Sequence, residues 1–220
     1  MCVVIGGGGH AKVVIDALLR SKSARPVAVL DPDRALWGKK ILGVPVLGND
    51  GQIPQLKKQG VTSFVIGVGS VGDSRLRKKL FEACLRKGLK PLIVVHPSAV
   101  LSEHASVRGG AVVFARAVIN AGATIGRNAI INTSAVVEHD CTVGDHAHVA
   151  PSACIAGSVR IGAGAHVGAR SVLRQGISVG KDAVVGAGSV VLKSVLARTV
   201  VVGSPARLLC KRKNVGAGHR

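Results

Sequence analysis

The chain has 220 residues, a formal net charge of +19 and 47% hydrophobic residues, but only 2% aromatics: three Phe, one Trp and no Tyr. That hydrophobic content excludes a disordered chain, and the aromatic shortage excludes a core built on ring anchors, so Val, Ile, Leu and Ala must supply it. No apolar run reaches the ~18–20 residues of a spanning helix. The five cysteines form no C-x-x-C pair, which fits free thiols in a reducing compartment and argues against a thiolate metal site.

The start, MCVVIGGGGH, lacks the basic leader and long apolar stretch of a signal peptide, so a cytoplasmic location is expected. Cys2–Ile5 reads as a strand, 6–9 as a glycine loop, and 11–20 as a helix through Val14, Ile15, Leu18 and Leu19. Residues 26–31 give a second strand that ends in acid and proline. A short helix is expected over 53–59 and a third strand over 64–68. Asp73 is placed to cap a helix over 74–87, whose Leu76, Leu80, Ala83 and Cys84 share a face, and 92–95 reads as a fourth strand. This alternation predicts a small parallel sheet, Rossmann-like and doubly wound.

From Val95 the period becomes six. Val95, Leu101, Val107, Val113 and every sixth residue through Val191 make 17 positions, all Val, Ile or Leu. A mostly small residue follows four positions after each, as at Ala99, Ala105 and Ala111. A period of six is neither the 3.6 of a helix nor the 2 of a flat strand. It fits a parallel β-helix in which each hexad forms one side of a triangular prism and turns a corner. Residue n then lies under residue n+18, and a narrow interior leaves no room for rings. The expected organisation is an α/β domain over 1–94, a β-helix over 95–196 and a C-terminal segment over 197–220.

Charge follows the same division. Residues 1–94 hold 16 basic and 6 acidic side chains, 95–196 hold 8 and 5, and 197–220 hold 6 and none. Nucleic acid is one partner for such a balance, but the aromatic platforms of single-strand binders are absent. Attraction of small phosphorylated ligands and a plain solvated surface are the other two readings.

The glycine loop opens the first helix, where bare amides and a helix N-terminus suit a phosphate. It is not a P-loop, because the G-K-[ST] ending is missing, and Val13 stands where a dinucleotide fingerprint would place its last glycine. Tight strand–helix packing accounts for it equally well. Gly69, ending the third strand, shares the sheet edge where open α/β folds bind ligands. Within the repeats, Glu138, His139 and Asp140 fall at a corner and should face outward. An imidazole beside a carboxylate suits a general base, or is simply a surface His among surface acids. His146 is expected in solvent or at a subunit contact. His166 lies 18 residues after His148 and should stack on it, with no third ligand in that column for a metal.

The hexads joined to the segment I-G-G-G-G-H-A-K-V-V resemble the bacterial hexapeptide-repeat sugar acyltransferases, which include nucleotide-sugar N-acetyltransferases and sialic-acid O-acetyltransferases. The resemblance spans Val3 to about Leu208. It implies a left-handed β-helix, a homotrimer and acetyl-CoA as co-substrate; the residue readings above add the expectation of no metal, no nucleic acid and no membrane insertion. His139 matches the family's base and Asp140 its supporting acid, with Glu138 open as the alternative. Gly8, Gly9, His10 and Asp31 correspond to the nucleotide-sugar site, although Pro32 interrupts the usual acidic pair, and Gly69 joins them by its place on the same sheet edge. Asn132, His148, Gly157, Ala169, Ala187 and Arg207 correspond to the coenzyme site, and the 211–213 basic run either meets coenzyme phosphates or lies free in solvent. The implied activity is N-acetylation of a nucleotide-linked amino sugar, with a 4-amino-4,6-dideoxy sugar favoured. O-acetylation of a sugar such as sialic acid and a non-catalytic carbohydrate-binding scaffold are the alternatives.

Overall fold

The structure, a computed structural model, describes residues 1–212. It opens with β1 (Cys2–Ile5), α1 (Gly9–Ser21) and β2 (Pro26–Leu30), followed by a hairpin, β3 (Lys40–Ile41) and β4 (Val44–Gly48). Then come α2 (Ile53–Lys58), β5 (Ser63–Ile66), α3 (Arg75–Arg86) and β6 (Lys90–Pro91). The sheet order is β3-β4-β2-β1-β5-β6, parallel except for the β3–β4 pair. The expected parallel α/β sheet is present, with two corrections. The β3–β4 hairpin is additional, and residues 92–95 are not the fourth strand. Lys90–Pro91 pairs with β5, while Val94–Val95 pairs with Val112–Val113 as the first rung of the prism.

Helix α3 also presents a different face. Asp73 Oδ1 does accept the Arg75 N–H at 2.9 Å. However, the buried positions are Arg77, Phe81 and Cys84, and Leu76 is 57% exposed. A cation thus occupies a position where helical spacing calls for an apolar residue.

The repeat region folds as a left-handed parallel β-helix of 17 two-residue strands, Val94–Val95 through Val190–Val191. Pairs such as Val112↔Ile130 and Val118↔Val136 run 18 residues apart, as the hexad arithmetic requires. The aliphatic positions and the small residues between them fill the interior. Where successive coils turn closely, at Gly126, Gly144 and Gly162, an added Cβ would lie 2.5 Å from the next coil's backbone.

The prism's three outer faces differ in chemistry. The first, Val94, Val112, Ile130, His148, His166 and Val184, carries the α/β unit: α1 packs between the sheet and Val94, Val112, Phe114 and Ile130. The third is polar, with Ser106, Thr124, Thr142, Arg160 and Ser178. The second is a column of Val100, Val118, Val136, Cys154, Val172 and Val190, all half-buried or exposed. Among the described residues, no other element of this chain packs across the column.

The C-terminal segment is described through Arg212. Thr199–Gly203 extends the first face, and Ala206–Lys211 folds back on it antiparallel. Arg212 donates to the Asp182 carbonyl at 2.9 Å. Of the basic run, Lys213 lies outside the described residues. Among the described residues, no helix is long and apolar enough to cross a membrane.

Candidate active site

His139 stands at the corner between the second and third faces, its side chain 53% exposed. Asp140, which turns that corner at φ +59°, accepts from His139 Nδ1 at 2.9 Å. A carboxylate can only accept here, so Nδ1 carries the proton and Nε2 is left as a bare lone pair. Glu138 does not reach the ring; its carboxylate accepts the His139 backbone N–H at 3.3 Å. The ring lies over Gly157, where an added Cβ would sit 2.5 Å from Nε2. Gly157 is therefore the floor beneath the imidazole and does not line the groove described next. The neighbouring thiol of Cys141 is buried, donates to the Ala156 carbonyl at 3.1 Å, and is pushed up in pKa by burial. It is a poor nucleophile.

The remaining residues of the expected coenzyme site separate into two places. Asn132, His148, Ala169 and Ala187 line one cavity of about 460 Å³ at the corner between the first and second faces. His166 and Pro151 join them, with Val71 and Gly72 from the loop after β5. The lining is mostly small and apolar with a few polar groups, which suits a slender, mainly aliphatic arm. Arg207 lies elsewhere, in a cavity of about 480 Å³ with Leu192, Lys193, Leu196, Pro205 and Leu208 at the end of the prism.

His148 and His166 stack as expected, their rings edge to face at 4.9 Å. His148 Nδ1 donates to the Ser70 carbonyl. Its Nε2 is therefore an acceptor and takes a hydrogen bond from Asn132 Nδ2 at 3.0 Å. His146 is not solvated: it is 8% exposed, bonds Asn128 Nδ2 through Nδ1 at 2.9 Å, and meets Phe81 edge on. Helix α3 covers that corner, which no feature local to residue 146 reveals.

At the sheet's carboxyl edge, nothing lies within 4 Å of an added Cβ on Gly8 or Gly9, so their backbone is open to a ligand. Asp31 is engaged by protein: its carboxylate accepts the Gly7 N–H at 2.7 Å and the Asp33 N–H at 2.8 Å, tying the glycine loop to the end of β2. His10 turns inward, its ring edge to face with Phe114 of the prism at 5.3 Å and its Nε2 buried without a hydrogen-bond partner. Gly69 packs beside that ring.

Burial pushes His10 down to about 3 and His148 down to about 4, and it also lowers His146 and His166. Each folded-state value lies below the unfolded one, so the unfolded chain binds protons first. Stability is complete above about pH 6.5 and is lost as pH falls toward the folded values. At pH 5, His10 and His148 should each cost about 2 kcal/mol, lowering Tm by on the order of 10 °C relative to pH 7.5. A Tm that is flat between pH 7.5 and 5 would contradict the buried neutral imidazoles.

Residues 2–84 match the PglD N-terminal domain family. Residues 122–157 match the bacterial transferase hexapeptide (six repeats), and 158–193 the hexapeptide repeat of succinyl-transferase. A histidine-to-asparagine variant of perosamine N-acetyltransferase from Caulobacter crescentus, crystallised with CoA and GDP-perosamine, is 38% identical; the match covers 96% of this chain and 97% of that one, with a TM-score of 0.88. The acetyltransferase domain of PglB from Neisseria gonorrhoeae, in complex with acetyl coenzyme A, is 32% identical over 94% and 98% of the two chains, with a TM-score of 0.87. GDP-perosamine N-acetyltransferase of Escherichia coli O157:H7 is 31% identical over 115 residues, a match that spans about half of each chain, 50% of this one and 49% of that one.

Proposed function

The chain belongs to the sugar N-acetyltransferases that join a PglD-type N-terminal domain to hexapeptide repeats, and from that premise we propose that it transfers the acetyl group of acetyl-CoA to the amine of a nucleotide-linked 4-amino-4,6-dideoxy sugar. The observation that carries this reading is the His139–Asp140 pair, which fixes the Nδ1-protonated tautomer and makes Nε2 of the half-exposed neutral ring the acceptor. The sugar amine attacks the thioester carbonyl, a C–N bond forms and the C–S bond breaks. His139 Nε2 takes the amine proton, Asp140 supports the imidazolium, and the imidazolium returns that proton to the departing sulfur, so that coenzyme A leaves as the thiol and the base is regenerated. Backbone amides oppose the charge on the carbonyl oxygen. Asn132 and His148 hold the coenzyme arm between the walls formed by Ala169 and Ala187, and Arg207 meets coenzyme phosphates. The nucleotide-sugar lies along Gly8, Gly9 and Gly69, with Asp31 fixing the loop. His10 supports that loop from beneath.

His139 and the groove occupy different corners of one prism, separated by the second face, a side on the order of 15 Å at the usual rise per strand residue. They meet if that apolar face is where copies associate, so that one subunit's His139 comes beside the groove of the next. A homotrimer covers the whole column from Val100 to Val190 and completes three sites. The reading places the reaction in the cytoplasm, where acetyl-CoA is available.

The test is thiol release from acetyl-CoA with GDP-, UDP- and dTDP-linked 4-amino sugars and with sialic acid. One nucleotide amino sugar should give rapid thiol release and an amide product. Release with sialic acid alone, or with none of them, would overturn the proposal.

A further inference from the structure

Arg77 is fully buried between the sheet and the prism. Its Nη1 donates to the carbonyls of Ile66 and Val68, both at 2.8 Å, and its Nε to the Asn128 carbonyl at 3.1 Å. Nη2 has no hydrogen-bond partner. Desolvation lowers its pKa to about 9. Burying a guanidinium is costly, and here the cost is set against three backbone carbonyls that no other side chain is shown to pair.

The three carbonyls suggest a role for the guanidinium. Two of them flank the start of the loop after β5, and the third is a corner of the prism. Two residues past Val68, the Ser70 carbonyl takes the His148 Nδ1 proton. The next residues, Val71 and Gly72, line the groove. The guanidinium thus spans both units and fixes the segment that sets the His148 tautomer.

We propose that Arg77 is a positioning residue that clamps the 67–72 loop to the prism, so that Ser70 holds the proton on His148 Nδ1 and Nε2 stays the acceptor that fixes the Asn132 amide in the wall of the groove. The coenzyme's presence in that groove rests on the function proposed above; the tautomer does not. Losing bonds to a charged donor should weaken coenzyme A binding by roughly tenfold or more.

Two measurements on the free, full-length protein test the proposal. Histidine-selective ¹⁵N NMR should show wild-type His148 protonated at Nδ1 and bare at Nε2. In Arg77→Met it should show a mixture of tautomers, with Arg77→Lys between them. Calorimetry should give a coenzyme A Kd about tenfold higher for Arg77→Met and a smaller rise for Arg77→Lys. A folded Arg77→Met with the wild-type tautomer and wild-type Kd would overturn the proposal. So would wild-type His148 carrying its proton on Nε2, a result that stands even if no Arg77 variant folds. Failure of wild type to bind coenzyme A, with the tautomer shift intact, would instead refute the proposed function and leave the clamp standing.

Discussion

His139→Ala is expected to lower kcat by about a thousandfold, within the range of 10²–10⁴ for removing a general base, while Tm stays within a few degrees of wild type. The two effects separate because the imidazole is half exposed and its one side-chain partner, Asp140, is 67% exposed. Removing it opens no cavity and strands no buried group. The rate effect is large because Nε2 is a basic atom whose tautomer a carboxylate fixes through Nδ1. Gly157→Ala tests the same geometry without touching the base. Its methyl carbon would sit 2.5 Å from Nε2, so the ring must swing away. Displacement of a reacting group by about 1 Å costs on the order of a hundredfold. Steady-state kinetics and thermal melting decide both variants. Near-normal turnover in His139→Ala would remove this residue from the mechanism.

Val136→Asp should convert the proposed trimer to a monomer near the chain mass of 22.4 kDa and abolish most activity. Val136 points outward at the middle of the apolar column, paired with Val118 and Cys154. In a trimer its carboxylate would be buried without a partner, which is strongly unfavourable. In the monomer it would be solvated, so the variant should remain folded. Thr142→Asp, on the polar third face, is the control and should stay trimeric and active. Analytical ultracentrifugation separates these outcomes, and a trimeric, active Val136→Asp would rule out the second face as the subunit contact.

The β-helix was legible because its rule is local and repeated. The inward residue of each hexad, the 18-residue register and the absence of rings all follow from one narrow interior. The outward face was equally readable but needs steps of 18: Val100, Val118, Val136, Cys154, Val172 and Val190 stand apart from the polar column on the third face. The β3–β4 hairpin escaped detection because Lys40–Ile41 is too short to show a period, its turn being made by Leu42 and Gly43 at positive φ. His146, His10 and Arg77 were not readable at all. Each owes its burial to packing between the two units, and neither period carries information about what covers it.

The site was legible as residue types and not as an assembly. The hexad arithmetic placed His139 at a corner and stacked His148 on His166, but Gly157 and Arg207 did not join the groove. Nor could it show that base and groove sit on different corners. That separation leads to the central claim that each active site is shared between two chains. It is tested by mixing His139→Ala with Ala169→Trp, which fills the groove, and reassembling the subunits at equal ratio. Each variant alone should be inactive. In mixed trimers, one chain's intact base meets a neighbour's intact groove at about a quarter of the sites, given cyclic symmetry and random assortment. Recovery of about a quarter of wild-type activity is the predicted result; no recovery in confirmed mixed trimers would show that base and groove act within a single chain.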